Sequence, residues 1–301
     1  MDPTLHIGID LGGTKIAGIA LFPDGSFGEE VRVATPRGSY ESTLDTIAEV
    51  VRILEDEAGG PARIGVGMPG SISPATGCVQ NANSTWINGR RLQEDLPRRL
   101  GRPVRLANDA NCFALSESFD GAGAGFACVF GVILGTGCGG GLVINGRLHE
   151  GRRAIGGEWG HNPLPWALPE EHPGPQCWCG RHGCIEAWVS GPALAGDHAR
   201  STGRTLAPEE IVAAAEAGDR PARSSLDRHA SRLARGLAHV INIVDPDVIV
   251  LGGGLSRLTH LYAVLPSLIA GHVFTDATQI DIRPPRWGDA SGVRGAARLW
   301  P

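Results

Sequence analysis

The sequence predicts an α/β fold made of two halves of one design, and three observations carry that expectation. Two apolar runs flank the glycine turn in DLGGTK near the start of the chain. Two more flank the turn in LGTGCGG near its middle, and LGGGLS ends a further apolar run late in the chain. Short apolar runs around a glycine-containing turn read as β-hairpins. A hairpin that recurs in the second half implies an internally duplicated architecture.

The elements follow in order. Ile7 to Leu11 and Ile16 to Leu21 are the strands of the first hairpin. Thr43 to Leu54 carries Leu44, Ile47, Val50, Val51 and Leu54 at helical spacing. Ile64 to Met68 is a strand ended by Pro69-Gly70, and Val104 to Ala107 is another, leading into a helix-like stretch from Cys112 to Phe119. The second hairpin pairs Val129 to Leu134 with Gly141 to Asn145, around a turn over 135–139. Leu226, Leu233, Leu237, Val240, Ile241 and Val244 mark one face of a long helix, which Asp245-Pro246 stops. Val248 to Leu251 is a late strand that opens into Gly252-Gly253-Gly254. The Gly- and Ala-rich stretch Gly121 to Gly125 is the expected domain junction.

Composition narrows the function. The 301 residues suffice for about two domains, and a formal charge of -5 argues against a broad nucleic-acid surface. No apolar stretch approaches the roughly 18 residues of a membrane span, and MDPTLHIGID does not look like a signal peptide. The expectation is a cytoplasmic protein whose 7 cysteines are thiols.

Each glycine turn reads in two ways, as a tight turn or as a cradle of backbone N–H groups for phosphate. Neither the Walker A spacing nor the Rossmann fingerprint is present, but three such turns in a duplicated chain point to a nucleotide held between two domains. Asp10 is a candidate to approach magnesium through water, or to hydrogen-bond within its turn. Lys15 reads either as a phosphate contact or as a solvated hairpin lysine. Asp109, between Asn108 and Asn111, is placed to take a proton from a hydroxyl that attacks phosphorus. The competing reading is a helix N-cap at Asn108 or Asp109.

Cys177, Cys179 and Cys184 lie within eight residues, a thiolate density that favours zinc. Spacing leaves His161, His172 and His182 open as fourth ligand. Three cysteines and one histidine close the tetrahedron, which makes the metal structural, since catalytic zinc keeps an open position.

Through DLGGTK, NDAN, LGTGCGGG, GEWGH, CWCGRHGCIE and LGGGLS the chain resembles, over essentially its whole length, the ROK family of sugar kinases. These belong to the actin-like ATPase superfamily, and the resemblance implies its ribonuclease H-like, duplicated two-domain fold with a cleft between domains. It implies a small α/β domain over residues 1–120 plus a C-terminal segment at about 288–301, and a large one over 121–287 with a zinc knuckle. Carried over, Asp109 is the general base, and Gly70, Asn83, Asn108, Glu158, His161 and Glu186 meet the sugar. Asp10, Gly12, Gly13, Thr14 and Lys15, with Gly135, Thr136, Gly137, Gly252, Gly253 and Gly254, meet Mg-ATP. The family pattern selects His161 as fourth zinc ligand and implies a homodimer. The segment PGSISPATGCVQNANSTWINGR and the GHNPLPW after it look most like fructokinases that also take mannose. The expected reaction is therefore phosphorylation of D-fructose by ATP, with a glucokinase, mannokinase or N-acetylglucosamine kinase as the alternative. Regulators of the family carry a helix-turn-helix ahead of the first glycine turn, which here begins within the first dozen residues. A zinc hydrolase would need an open coordination position, and nothing supports a catalytically dead sugar-binding module.

Overall fold

The computed structural model describes residues 4–277 and 279–300. The first half runs β1 (His6–Leu11), β2 (Lys15–Leu21), β3 (Val31–Ala34), α1 (Tyr40–Ala58), β4 (Arg63–Met68), the two-residue strands β5 (Ser71–Ile72) and β6 (Val79–Gln80), α2 (Leu92–Leu100), β7 (Val104–Asn108) and α3 (Asp109–Asp120). The second runs β8 (Cys128–Leu134), β9 (Cys138–Ile144), β10 (Arg147–Leu148), α4 (Glu186–Val189), α5 (Gly191–Thr202), α6 (Pro208–Glu216), α7 (Arg220–Val244), β11 (Val248–Gly252), α8 (Thr259–Ala270), β12 (Ile282–Arg283) and α9 (Ser291–Ala297).

The expected duplication is visible strand by strand. The first sheet has the order β3-β2-β1-β4-β7 and the second β10-β9-β8-β11-β12. In each, the hairpin pairs are antiparallel and the two later strands join in parallel. Register sets the functional edge. Asp10 pairs with Gly67 and Gly67 with Ala107, so Asp10, Pro69-Gly70 and Asn108-Asp109 all gather at the carboxyl ends of parallel strands. That edge is where open α/β sheets bind ligands.

Two boundaries differ from the expectation for a physical reason. The second hairpin turn shortens to Gly135–Gly137, because Leu134 pairs with Cys138 and Ile133 with Gly139. The glycines stay in the strand because α3 lies on them: a Cβ at Gly141 would sit 2.5 Å from the Ala110 carbonyl oxygen. Helix α3 also begins at Asp109, three residues before the expected start, because Asn108 caps it by accepting from the Ala110 N–H at 2.9 Å.

The chain crosses between the halves twice, and one side chain holds both crossings. Glu117, on α3, is 0% exposed. Its Oε2 accepts from the N–H groups of Ala122 at 2.8 Å and Arg286 at 3.0 Å. Its Oε1 accepts from the Trp287 N–H at 3.3 Å and the Ser291 hydroxyl at 2.7 Å. The returning segment then forms α9, pressed so closely on α3 that a Cβ at Gly295 would lie 1.7 Å from the Cys112 carbonyl oxygen. Beyond it, the Trp300 indole donates to the Ile64 carbonyl at 2.8 Å, fastening the C-terminus to the first sheet. We assign residues 1–120 and about 288–301 to one domain and 121–287 to the other, with α3 lying against both sheets.

Glu117→Ala would take the acceptor from three backbone N–H groups, while the Ser291 hydroxyl keeps the Gly288 carbonyl at 3.0 Å. At roughly 1–3 kcal/mol for each unsatisfied group, partly offset by entering water, the expected loss is at least about 2 kcal/mol. A urea unfolding midpoint shows this directly, and an unchanged midpoint would contradict the role given to Glu117.

Candidate active site

A cavity of about 670 Å³ lies between the halves, and it brings together every residue expected at the sugar: Gly70, Asn83, Asn108, Asp109, Glu158, His161 and Glu186. Gly135, Thr136 and Gly137 of the second hairpin turn form part of the same wall. Its floor is the strand-to-helix junction between β7 and α3. Asn108 does two jobs there, capping α3 through its side-chain oxygen and donating from Nδ2 to the Gly70 carbonyl at 3.0 Å. Gly70 has φ +72, and a Cβ there would come 2.2 Å from the Gln80 carbonyl oxygen, so only glycine fits. Asn88 fixes the loop that carries Asn83, accepting from the Ala82 N–H at 3.0 Å and donating to the Ala82 carbonyl at 2.8 Å.

The helix cap is Asn108, and Asp109, the first residue of α3, lines the cavity. Its Oδ1 accepts from the Ala110 N–H at 2.8 Å. Burial pushes its pKa up to about 6; the Ala110 N–H opposes the shift and Glu158 adds to it. A carboxylate there is ionised at neutral pH yet more basic than an ordinary aspartate. Burial also lifts Asp10 to about 7, with the Asp109 charge adding and Lys15 opposing. A divalent cation near Asp10 would relieve the repulsion that the Asp109 charge exerts on it. Glu158 is likewise raised by burial, with His161 opposing and Glu186 adding.

The cysteine segment is folded back onto GEWGH by short antiparallel pairing. Pro163 bridges Cys184, the Leu164 N–H donates to the Gly183 carbonyl at 2.9 Å, and the Ile185 N–H donates to the Asn162 carbonyl at 2.9 Å. Trp159, buried between Glu158 and His161, anchors the first strip by donating to the Gly139 carbonyl at 3.1 Å. The ligand atoms of His161, Cys177, Cys179 and Cys184 consequently all lie within 4.8 Å of one another. Tetrahedral sulfur ligands at about 2.3 Å from zinc stand about 3.8 Å apart. Here Cys179 and Cys184 sulfurs are 3.6 Å apart, and His161 Nδ1 is 3.6 Å from the Cys177 sulfur. Nδ1 thus faces the cysteines while the ring still lines the cavity. His172 and His182 are exposed and stand outside the cluster.

The loop leading to the knuckle is moored to α7 by buried ions. Glu171 accepts from Arg235 at 2.7 and 2.8 Å and from Arg232 at 2.8 Å. Burial alone would raise the Glu171 pKa, but bonds from Arg235 and Arg232 hold it down at about 2. Arg232 also donates to Asp197 of α5 at 2.7 Å.

The other glycine turns behave less uniformly. Gly12, Gly13, Thr14 and Lys15 form the first hairpin turn beside Asp10, outside the walls of this cavity. The Gly12 N–H is already spent on the Lys15 carbonyl at 3.0 Å, and Arg37 donates to the Gly13 carbonyl and the Thr14 hydroxyl. Gly253, with φ +77, lies against the second hairpin turn, where its Cβ would be 2.4 Å from the Leu134 carbonyl oxygen. Gly254 opens toward free space. Gly252 is a buried strand residue, and a Cβ there would strike the Phe113 ring at 2.4 Å, so packing by itself requires a glycine.

Several residues at the cavity were not singled out in the sequence, Asn88 and Trp178 among them. Trp178, between two of the cysteines, donates from Nε1 to Glu186 Oε1 at 2.6 Å, while Glu186 Oε2 accepts from the Cys138 N–H at 2.8 Å. Glu186 therefore ties the knuckle to the second hairpin turn. For Trp178 the only available signal was an aromatic residue inside a metal-ligand motif.

With this geometry established, comparison with known proteins is direct. The family described as "ROK family" matches residues 6–301. An N-acetyl-D-glucosamine kinase from Escherichia coli O9:H4 is 41% identical over 300 residues, covering 98% of this chain and 99% of that protein. The crystal structure of a ROK hexokinase from Thermus thermophilus superposes with a TM-score of 0.86 at 33% identity, covering 97% of this chain and 96% of that one. A ROK glucokinase from Streptomyces griseus, in complex with glucose and AMPPNP, gives 0.80 at 29% identity, covering 98% of each chain.

The purified protein is expected to carry one tightly bound metal ion per chain by elemental analysis, and Cys184→Ser should lose it. A metal-free wild type, or a Cys184→Ser variant that keeps a full equivalent, would contradict the cluster as a metal site.

Proposed function

We infer the reaction from a plain premise: this chain belongs to the ROK family and is a sugar kinase with the actin-like ATPase fold. We propose that it transfers the γ-phosphoryl group of ATP to the primary hydroxyl of N-acetyl-D-glucosamine. The substrate follows the N-acetyl-D-glucosamine kinase that is 41% identical over 300 residues. The relatives described above are an N-acetyl-D-glucosamine kinase, a hexokinase and a glucokinase, and the fructose expectation gives way to this reading.

The observation that carries the proposal is the convergence of Asp109, Asn108, Glu158, His161 and Glu186 on one cavity beside a glycine turn. Asp109 takes the hydroxyl proton as that oxygen bonds to the γ-phosphorus and the bond to the β-phosphate oxygen breaks. Because such a transition state is loose, positioning and charge neutralisation contribute most of the rate. Asn83, Asn108, Glu158 and Glu186 hold the remaining hydroxyls, with the free nitrogen of His161 beside them and the Gly70 backbone shaping the wall. The Gly135–Gly137 turn and Gly253-Gly254, adjoining it, face the phosphates of ATP; Gly12 to Lys15 approach them from the other half. Magnesium arrives with ATP, and Asp10 supports it, which relieves the mutual repulsion of Asp10 and Asp109.

The metal of the Cys3His cluster is zinc, and its part is structural. All four positions are filled by protein, leaving none for water or substrate. The neighbouring sulfurs and burial push Cys184 up to about 12, burial first, so an apo cluster would hold protons that the ion must displace. We place the protein in the cytoplasm, and we expect a homodimer by analogy with the family.

An ADP-coupled assay across N-acetylglucosamine, glucose, mannose and fructose tests the reading. The highest kcat/KM is expected for N-acetylglucosamine, about tenfold or more above glucose. A clear preference for glucose or fructose would overturn the substrate and leave the kinase standing.

A further inference from the structure

We propose that Trp178 is the residue that selects an acylamino hexose over one with a bare hydroxyl, an inference that rests on the substrate reading above. Among the described residues lining the cavity, Trp178 is the only large aromatic hydrocarbon surface; most of the other side chains that reach it offer hydrogen bonds. It is 60% exposed, which is unusual for an indole set in a rigid, ligand-lined cleft.

Three contacts hold the ring in place without covering it. Its backbone sits between Cys177 and Cys179, both donors of the metal cluster, so the chain is pinned on either side. Its Nε1 donates to Glu186 Oε1 at 2.6 Å. Its ring meets His161 edge-on, with centroids 5.0 Å apart and planes at 84°. The residue stays 60% exposed and lines the cavity.

The chemistry beside the ring is specific. Glu186, oriented by Trp178 and by the Cys138 N–H, is a fixed acceptor with spare lone pairs. An acetamido group offers what this pair takes, an N–H for the carboxylate and a methyl for the indole. A bare hydroxyl satisfies the carboxylate but leaves the indole uncovered. The selection is therefore apolar contact next to a polar anchor, a combination that fixes ligand orientation in pockets of this kind. Trp178 touches no reacting atom. It is a specificity residue, built into the metal knuckle.

The test compares kcat/KM for N-acetylglucosamine and glucose in the wild type, Trp178→Phe and Trp178→Ala, with bound metal measured in each. Trp178→Ala is expected to lower the ratio of the two values about tenfold or more, mainly through KM for N-acetylglucosamine. Trp178→Phe, which keeps a ring, should hold the ratio within about threefold, since most of the apolar contact survives. Should Trp178→Ala lose its metal, Trp178→Gln, which fills the position with a polar chain, is read in its place with the same expectation. Equal losses for both sugars, or an unchanged ratio with metal intact, would overturn the proposal. A wild type inactive on N-acetylglucosamine would instead overturn the substrate reading and this inference together.

Discussion

The structure depends on the double docking of one helix. Helix α3 starts at the carboxyl edge of the first sheet and lies across the second, where Gly131, Gly141 and Gly252 lack the side chains that would collide with Ala114, Ala110 and Phe113. Its other side meets α9, which returns from the second half. The same helix presents Asp109 at its first residue and Glu117 near its last, so the candidate base and the clasp of both crossings sit on one rigid rod. Any motion of one half against the other is referred to that rod. The base keeps its place relative to both sheets because the helix that carries it is packed against each.

Duplication explains why the site lies where it does, and the departures from symmetry explain its chemistry. Both sheets carry a glycine hairpin at equivalent positions; the second turn lines the cavity, and the first lies beside Asp10 outside its walls. Only the second half carries a long insertion between its third strand and its long helix, and the cysteine cluster lies in it. Ahead of α4 that insertion has little regular structure. It is held there by the ion pairs of Glu171 with Arg232 and Arg235, and by the cluster of His161, Cys177, Cys179 and Cys184 on either side of Glu171. Buried ion pairs contribute little net stability against an apolar replacement, but breaking one side is costly, about 3–5 kcal/mol. What such a network supplies is a defined position for the loop, and that position sets Glu158, His161 and Glu186.

Much of this was legible before any coordinates. Glycine turns between short apolar runs betrayed both hairpins. Three cysteines in eight residues announced a metal cluster, and Asn108-Asp109 marked a strand-to-helix junction. What stayed hidden depends on contacts far apart in sequence. Glu117 looks like any surface glutamate on a helix until residues 286–291 close over it. Arg232 and Arg235 lie within the helix whose apolar stripe was read correctly, yet both are buried against Glu171. Gly252 reads as a phosphate glycine, and its seat for the Phe113 ring shows only in three dimensions. The sugar is the hardest case. The polar side chains of the cavity can meet the hydroxyls of any hexose, and Trp178 reads in sequence only as an aromatic residue inside a cysteine motif.

The central claim is that Asp109 acts as a base in a site that binds the hexose without it. Asp109→Asn preserves the shape and the cap at Ala110 while removing the basic oxygen. Calorimetric titration of this variant with N-acetylglucosamine, alongside its turnover with ATP, separates the two roles. The account predicts a sugar affinity within about threefold of wild type, and a kcat lower by roughly 10²–10⁴, the range ascribed to a positioned base. A variant that turns over at near wild-type rate, with sugar affinity intact, would contradict it.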